Sequence, residues 1–61
     1  MEITINVPMY HIYVNGKKKL STTSWKKANE IYNNYFYDIF NHNYVEIINV
    51  DTGEIMKGGA R

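Results

Sequence analysis

The chain reads as an α+β protein of order β-β-α-β-β, an antiparallel sheet with a single helix packed across one face. Three observations predict this. One long segment, Ser24 to Asn41 (SWKKANEIYNNYFYDIFN), has a helical period. The segments before and after it alternate apolar and polar residues with the period of strands. Each of those segments contains a glycine turn, Asn15-Gly16 in the first and Asp51-Thr52-Gly53 in the second.

Within the helical segment, Trp25, Ala28, Ile31, Tyr32, Tyr35, Phe36, Ile39 and Phe40 fall on one half of the circumference. That arc is wide enough to cover a sheet. Lys26, Lys27, Glu30, Asn33, Asn34, Asp38 and Asn41 fill the other half. Ser24 is the expected N-cap, since its hydroxyl can accept from the free N–H of Lys26 or Lys27. Asn41 or Asn43 is expected to end the helix in the left-handed conformation that Asn tolerates. Ile39 and Tyr35, near the middle of the arc, are expected to be buried against Ile12 and Ile47 or Ile48.

Ahead of the helix, Ile3, Ile5 and Val7 alternate with polar residues, and Tyr10, Ile12 and Val14 do the same in the opposite phase. Pro8 stands where the phase slips. One bent strand over 2–14 with a bulge near Pro8 accounts for the slip, and so does a separate arm over 1–8. Lys17 to Thr22 returns after Asn15-Gly16. A two-residue turn places Leu20 opposite His11, whereas a bulged register sets it beside Tyr10 or Ile12 on the apolar face. Burial of the one apolar residue of that strand favours the bulge. After the helix, Tyr44 to Val50 is β-branched and reads as a strand, followed by a three-residue loop with Gly53 at positive φ and a return over Glu54 to Lys57. Residues 1–57 form one small domain on this reading, and Gly58-Gly59-Ala60-Arg61 is expected to be a loose tail.

At 61 residues and 7.2 kDa, such a chain buries only about 60% of its unfolded surface. It has no cysteine, so packing alone must hold the helix. This, with nine aromatic residues, leads to the expectation of a homodimer. A signal peptide and a membrane span are both lacking, so a cytoplasmic, non-membrane protein is expected. Neither serine has nucleophile-elbow glycines, and His11 and His42 have no ligand spacing around them. Catalytic residues, cofactor and metal are therefore all expected to be absent, and the chain is not expected to be an enzyme.

Surface recognition remains. Six tyrosines suit an interface, because each offers a rigid contact area with a polar tip. Periodicity puts Tyr13 and Tyr37 on the outside. The charge is polarised: the first thirty residues carry +3 and the rest −2, with Lys17, Lys18, Lys19, Lys26 and Lys27 supplying the positive end. These seven residues are the expected partner-binding set.

The run YHIYVNGKKKLSTTSWKKANEIYNNYF, residues 10–36, resembles the basic hairpin and following helix of the arm-type DNA-binding domains of phage and transposon integrases. That resemblance implies a DNA-binding module using hairpin 17–19 and helix start 26–27. The whole chain, with its ending VEIINVDTGEIM, looks like the small hairpin–helix–hairpin proteins of phage and prophage genomes. That resemblance implies a small phage or mobile-element protein that binds, and so inhibits, a host protein. A net charge of +1 and a single arginine favour the protein partner over nucleic acid.

Overall fold

The computed structural model describes residues 7–60. The elements are β1 (Tyr10–Val14), β2 (Lys17–Thr22), α1 (Trp25–Phe36), β3 (Tyr44–Asn49) and β4 (Glu54–Ala60). The four strands form one antiparallel sheet in the order β2-β1-β3-β4, and α1 lies across one face. The central pair β1–β3 is regular from Tyr10↔Asn49 to Val14↔Val45. This is the architecture that the alternation and the helical period predict.

The first turn combines both registers considered for it. Asn15 and Gly16 have φ of 53° and 82°, the two positive values of a type I′ turn, and Val14 pairs with Lys17. Lys19 is then the extra residue of a β-bulge, so that Leu20 faces Ile12 instead of His11. A strand with a single apolar side chain thus delivers it to the buried face. The second hairpin encloses four residues, Val50 to Gly53, one more than expected, and Gly53 has φ of 73°. Its N–H donates to the Asn49 carbonyl at 2.7 Å. Met56 is the extra residue of a second bulge, between Ile48↔Ile55 and Ile47↔Lys57.

Beyond it the chain stays in the ladder. Gly58, Gly59 and Ala60 pair with Glu46, Val45 and Tyr44, which corrects the expected loose tail at those three positions. A Cβ on Gly59 would lie 3.6 Å from the Tyr32 hydroxyl and 3.7 Å from the Phe36 ring, ordinary contact distances, at the point where the helix passes over the strand.

The core is Tyr10, Ile12, Val14, Ala28, Tyr32, Val45 and Ile47, with Leu20, Ile31, Tyr35 and Phe36 packed around it. Ala28 brings the helix backbone down onto Ile12, Val45 and Ile47, which are fully buried. Tyr32 stacks on Phe36 at 5.3 Å and carries the Lys57 ammonium 4.6 Å from its ring centre. Lys57 is held there by donating to Asn29 Oδ1 at 2.9 Å. Trp25 packs edge-on against Tyr10 at 5.4 Å.

Ser24 caps the helix as expected, its hydroxyl accepting from the Lys27 N–H at 3.2 Å. The other end differs. The helix stops at Phe36, so Ile39 and Phe40 are 76% and 87% exposed and not part of the core, and Tyr35 is only half-buried. Ile48, offered as a neighbour of Ile39, pairs with His11 on the opposite face of the sheet. Neither Asn41 nor Asn43 is left-handed; among the described residues Asn15 alone, glycines aside, has positive φ. The cause is side-chain competition with the backbone, described below. Of the two readings of the N-terminal segment, residues 1–6 lie outside the described region, and β1 begins two residues after Pro8.

Two expectations follow from this packing. Ile47→Ala should lower stability by about 2–5 kcal/mol through the cavity it leaves, whereas Ile39→Ala should change it by less than about 0.5 kcal/mol; urea melts of the two variants check the contrast. Gly53→Ala should cost about 1 kcal/mol, because a Cβ at that φ crowds the following carbonyl. Gly59→Ala, whose Cβ would make only ordinary contacts, should melt close to the parent.

Candidate functional site

The connection from α1 to β3 is built by two side chains. Asp38 accepts from the Phe40 N–H at 2.8 Å and from the Asn41 amide at 3.0 Å. These bonds fold 38–41 into a tight turn in place of a further helical turn. Asn43 is 8% exposed and joins three elements. Its Nδ2 donates to the Tyr35 carbonyl at 3.1 Å, and its Oδ1 accepts from Asn15 Nδ2 at 3.0 Å. Asn15 in turn accepts from the Tyr44 N–H at 3.0 Å and donates its own N–H to the Tyr44 carbonyl at 2.8 Å. The end of the helix, the tip of the first hairpin and the start of β3 are thereby locked together.

On this frame stand Ile39 and Phe40, with Tyr37 at the helix C-cap, exposed and packed edge-on against Phe36 at 5.0 Å. Three large apolar or aromatic side chains thus project from one short, hydrogen-bonded connection. Beside it a groove of about 320 Å³ opens, lined by Lys17 and Lys19 of the first hairpin and by Tyr35, Asp38, Asn41 and Asn43.

The residues expected to bind a partner are divided among three places. Lys17 and Lys19 line the groove at the helix C-terminus, the end at which Tyr37 lies. Lys18 pairs with Tyr13, and both belong to the face of the sheet away from the helix. Lys26 and Lys27 are exposed in the first helical turn, roughly 15 Å along the helix from its other end. The five lysines therefore do not make one footprint, and Tyr13 and Tyr37 do not share a surface.

Reading the helix through to Asn41 hid Ile39 and Phe40 as surface residues. A signal was present nonetheless: Asp38-Ile39-Phe40-Asn41-His42-Asn43 has the Asp/Asn composition of a turn. His11 lies on the open sheet face and His42 is exposed in the connection. Among the described residues no three His, Asp or Glu side chains are grouped as metal ligands, and no buried side-chain polar atom lacks a hydrogen-bond partner. Among the described residues no helix is long and apolar enough to cross a membrane. No protein-family model, curated protein or solved structure matches the chain.

The Asn41 amide and the Phe40 N–H hold the Asp38 carboxyl below the usual aspartate pKa. A carboxylate with a depressed folded-state pKa supports its surroundings above the unfolded-state value, and the support is lost as pH falls through the folded value. The turn should therefore persist at mildly acidic pH and loosen only below the ordinary aspartate range. Following the Phe40 amide resonance through a pH titration tests this: its midpoint should lie below that of an unstructured aspartate peptide, and Asp38→Ala should erase the transition.

Proposed function

We propose that this chain is a small non-enzymatic binding protein of phage or mobile-element type, which acts by occupying a surface of a host protein and inhibiting it. The observation that carries this reading is the exposure of Ile39 and Phe40 on a turn held by Asp38. Large apolar side chains on an ordered protrusion serve as anchors for a complementary pocket, where a few such residues supply most of the binding energy. Tyr37 beside them adds a rigid aromatic contact with a polar tip. The overall resemblance to small phage and prophage proteins and the A/T-codon residues (Asn, Lys, Ile, Tyr and Phe make up 30 of 61) support the assignment to a mobile element. Cytoplasmic action in the host cell goes with that role.

Nucleic-acid binding through Lys17–Lys19 and Lys26–Lys27 is the weaker reading, since those lysines stand at opposite ends of the helix. If all five met phosphates on duplex DNA, affinity would fall with salt at a log–log slope near about −4.5.

The deciding experiment is capture from host lysate, with and without nuclease, by the wild-type chain and by a variant carrying Ile39→Ser and Phe40→Ser. The wild type should retain one protein at near-equal stoichiometry whatever the nuclease treatment. The variant should lose it while melting at the same temperature, because neither side chain is in the core. Equal retention by both forms would remove the turn from the interface. Micromolar duplex binding with the steep salt slope would replace the protein partner by DNA.

A further inference from the structure

The sheet has a second face that the helix does not cover. The register assigns to it His11 and Tyr13 of β1, Lys18 and Ser21 of β2, Tyr44, Glu46 and Ile48 of β3, and Ile55 and Gly58 of β4. Tyr44 and Ile55 are exposed, and His11, Tyr13, Glu46 and Ile48 are half-buried. One cross-strand row reads Lys18, Tyr13, Glu46, Gly58 in the order β2-β1-β3-β4. The cation and the anion of this row flank one tyrosine, two strand spacings or about 9.6 Å apart. Next to Glu46 the row ends in a position without a side chain. The Cβ that Gly58 lacks would lie 3.5 Å from Ile55 Cγ2, 3.6 Å from Glu46 Cγ and 3.8 Å from the Tyr44 hydroxyl.

We infer that this face is the contact surface of a homodimer, in which Lys18 of each copy passes over Gly58 of the other and meets its Glu46. A two-fold axis lying in the interface along the central strands brings β2 of one copy over the β3–β4 half of its partner. The charge order of the row is then self-complementary: each copy presents a positive side to the other's negative side, twice by symmetry. The apolar Tyr13, Tyr44, Ile48 and Ile55 fill the space between, as inner faces do where two sheets pack aligned. Pairing through the sheet edges is disfavoured, since both edge strands are bulged, at Lys19 and at Met56, and β2 also bears three lysines.

The test is sedimentation of the whole chain at several concentrations up to hundreds of micromolar, with two charge reversals. Wild type should weigh as a dimer at the upper concentrations. Lys18→Glu alone and Glu46→Lys alone should each weaken self-association at least about tenfold, because like charges then face each other twice. Mixed together, the two single variants should associate again, since each contact between them joins opposite charges; an ion pair within one chain cannot produce that rescue. Circular dichroism checks that each variant folds. If Glu46→Lys does not, the comparison of wild type with Lys18→Glu still decides. The variant with Ile39→Ser and Phe40→Ser should remain dimeric, which separates this surface from the one proposed for the host protein. A monomeric wild type, charge variants that associate undiminished, a mixture that stays monomeric, or loss of the dimer in the Ile39/Phe40 variant would each overturn the proposal.

Discussion

Asn43 is the residue on which the arrangement turns. A twelve-residue helix must end in a place where its last carbonyls are satisfied, and Asn43 supplies a donor to Tyr35 from the chain that follows. The same amide accepts from Asn15 at the tip of the first hairpin. Both contacts are part-buried, and Asn43 itself is buried, so leaving its amide without these partners would cost about 1–3 kcal/mol. Fixing the helix end in this way also determines what is left over. Ile39 and Phe40 cannot continue the apolar stripe of the helix, because the chain has already turned away from the sheet. The exposed turn is thus a by-product of the lock that holds helix and hairpin in register.

The sheet divides its strands by role. β1 and β3 pair without interruption and supply the fully buried Ile12, Val45 and Ile47. β2 and β4 each break their ladder with one extra residue and carry most of the polar and small side chains. A bulge twists an edge away from the flat geometry that invites another strand. It also resets alternation, which is how Leu20 and Lys57 come to lie under the helix despite the apparent phase of their strands. Lys57 then contributes its stem to packing while its ammonium rests on the Tyr32 ring and the Asn29 oxygen.

Most of this was readable from the amino acids. Alternation in β1 and β3, the Asn15-Gly16 turn, the positive φ of Gly53 and the Ser24 cap are local matters, settled by each residue's own backbone preference and its near neighbours. The demand to bury Leu20 correctly called for a bulge. What escaped the sequence was set by contacts between distant residues. The helical stripe ran on to Phe40, and only the bond from Asn43 to Tyr35, with the Asp38 turn, shows why it is cut at Phe36. Gly58-Gly59 looked too featureless to be held, yet the two glycines pair with Glu46 and Val45 in the ladder, and Tyr32 and Phe36 pass over Gly59. The candidate binding residues were legible one at a time as exposed lysines and tyrosines. Their division among three surfaces depends on the strand order and the direction of the helix, which no periodicity encodes.

The β1–β3 ladder has a consequence for how the chain assembles. Each outer ladder closes through its own tight turn, whereas the central one joins residues separated by a strand, the helix and three connections. Such a closure carries the largest chain-entropy cost in the molecule and delays the contacts that repay it. The two hairpins are accordingly the early units, and their union beneath the helix is the slow, committing step. The chain is also divisible at one point. A nick at 39–42 would separate a β-β-α piece from a β-hairpin, two fragments that share the central ladder and the Asn15–Asn43 amide pair. Their recombination in solution would reproduce, as a bimolecular event, the step that the intact chain performs on itself.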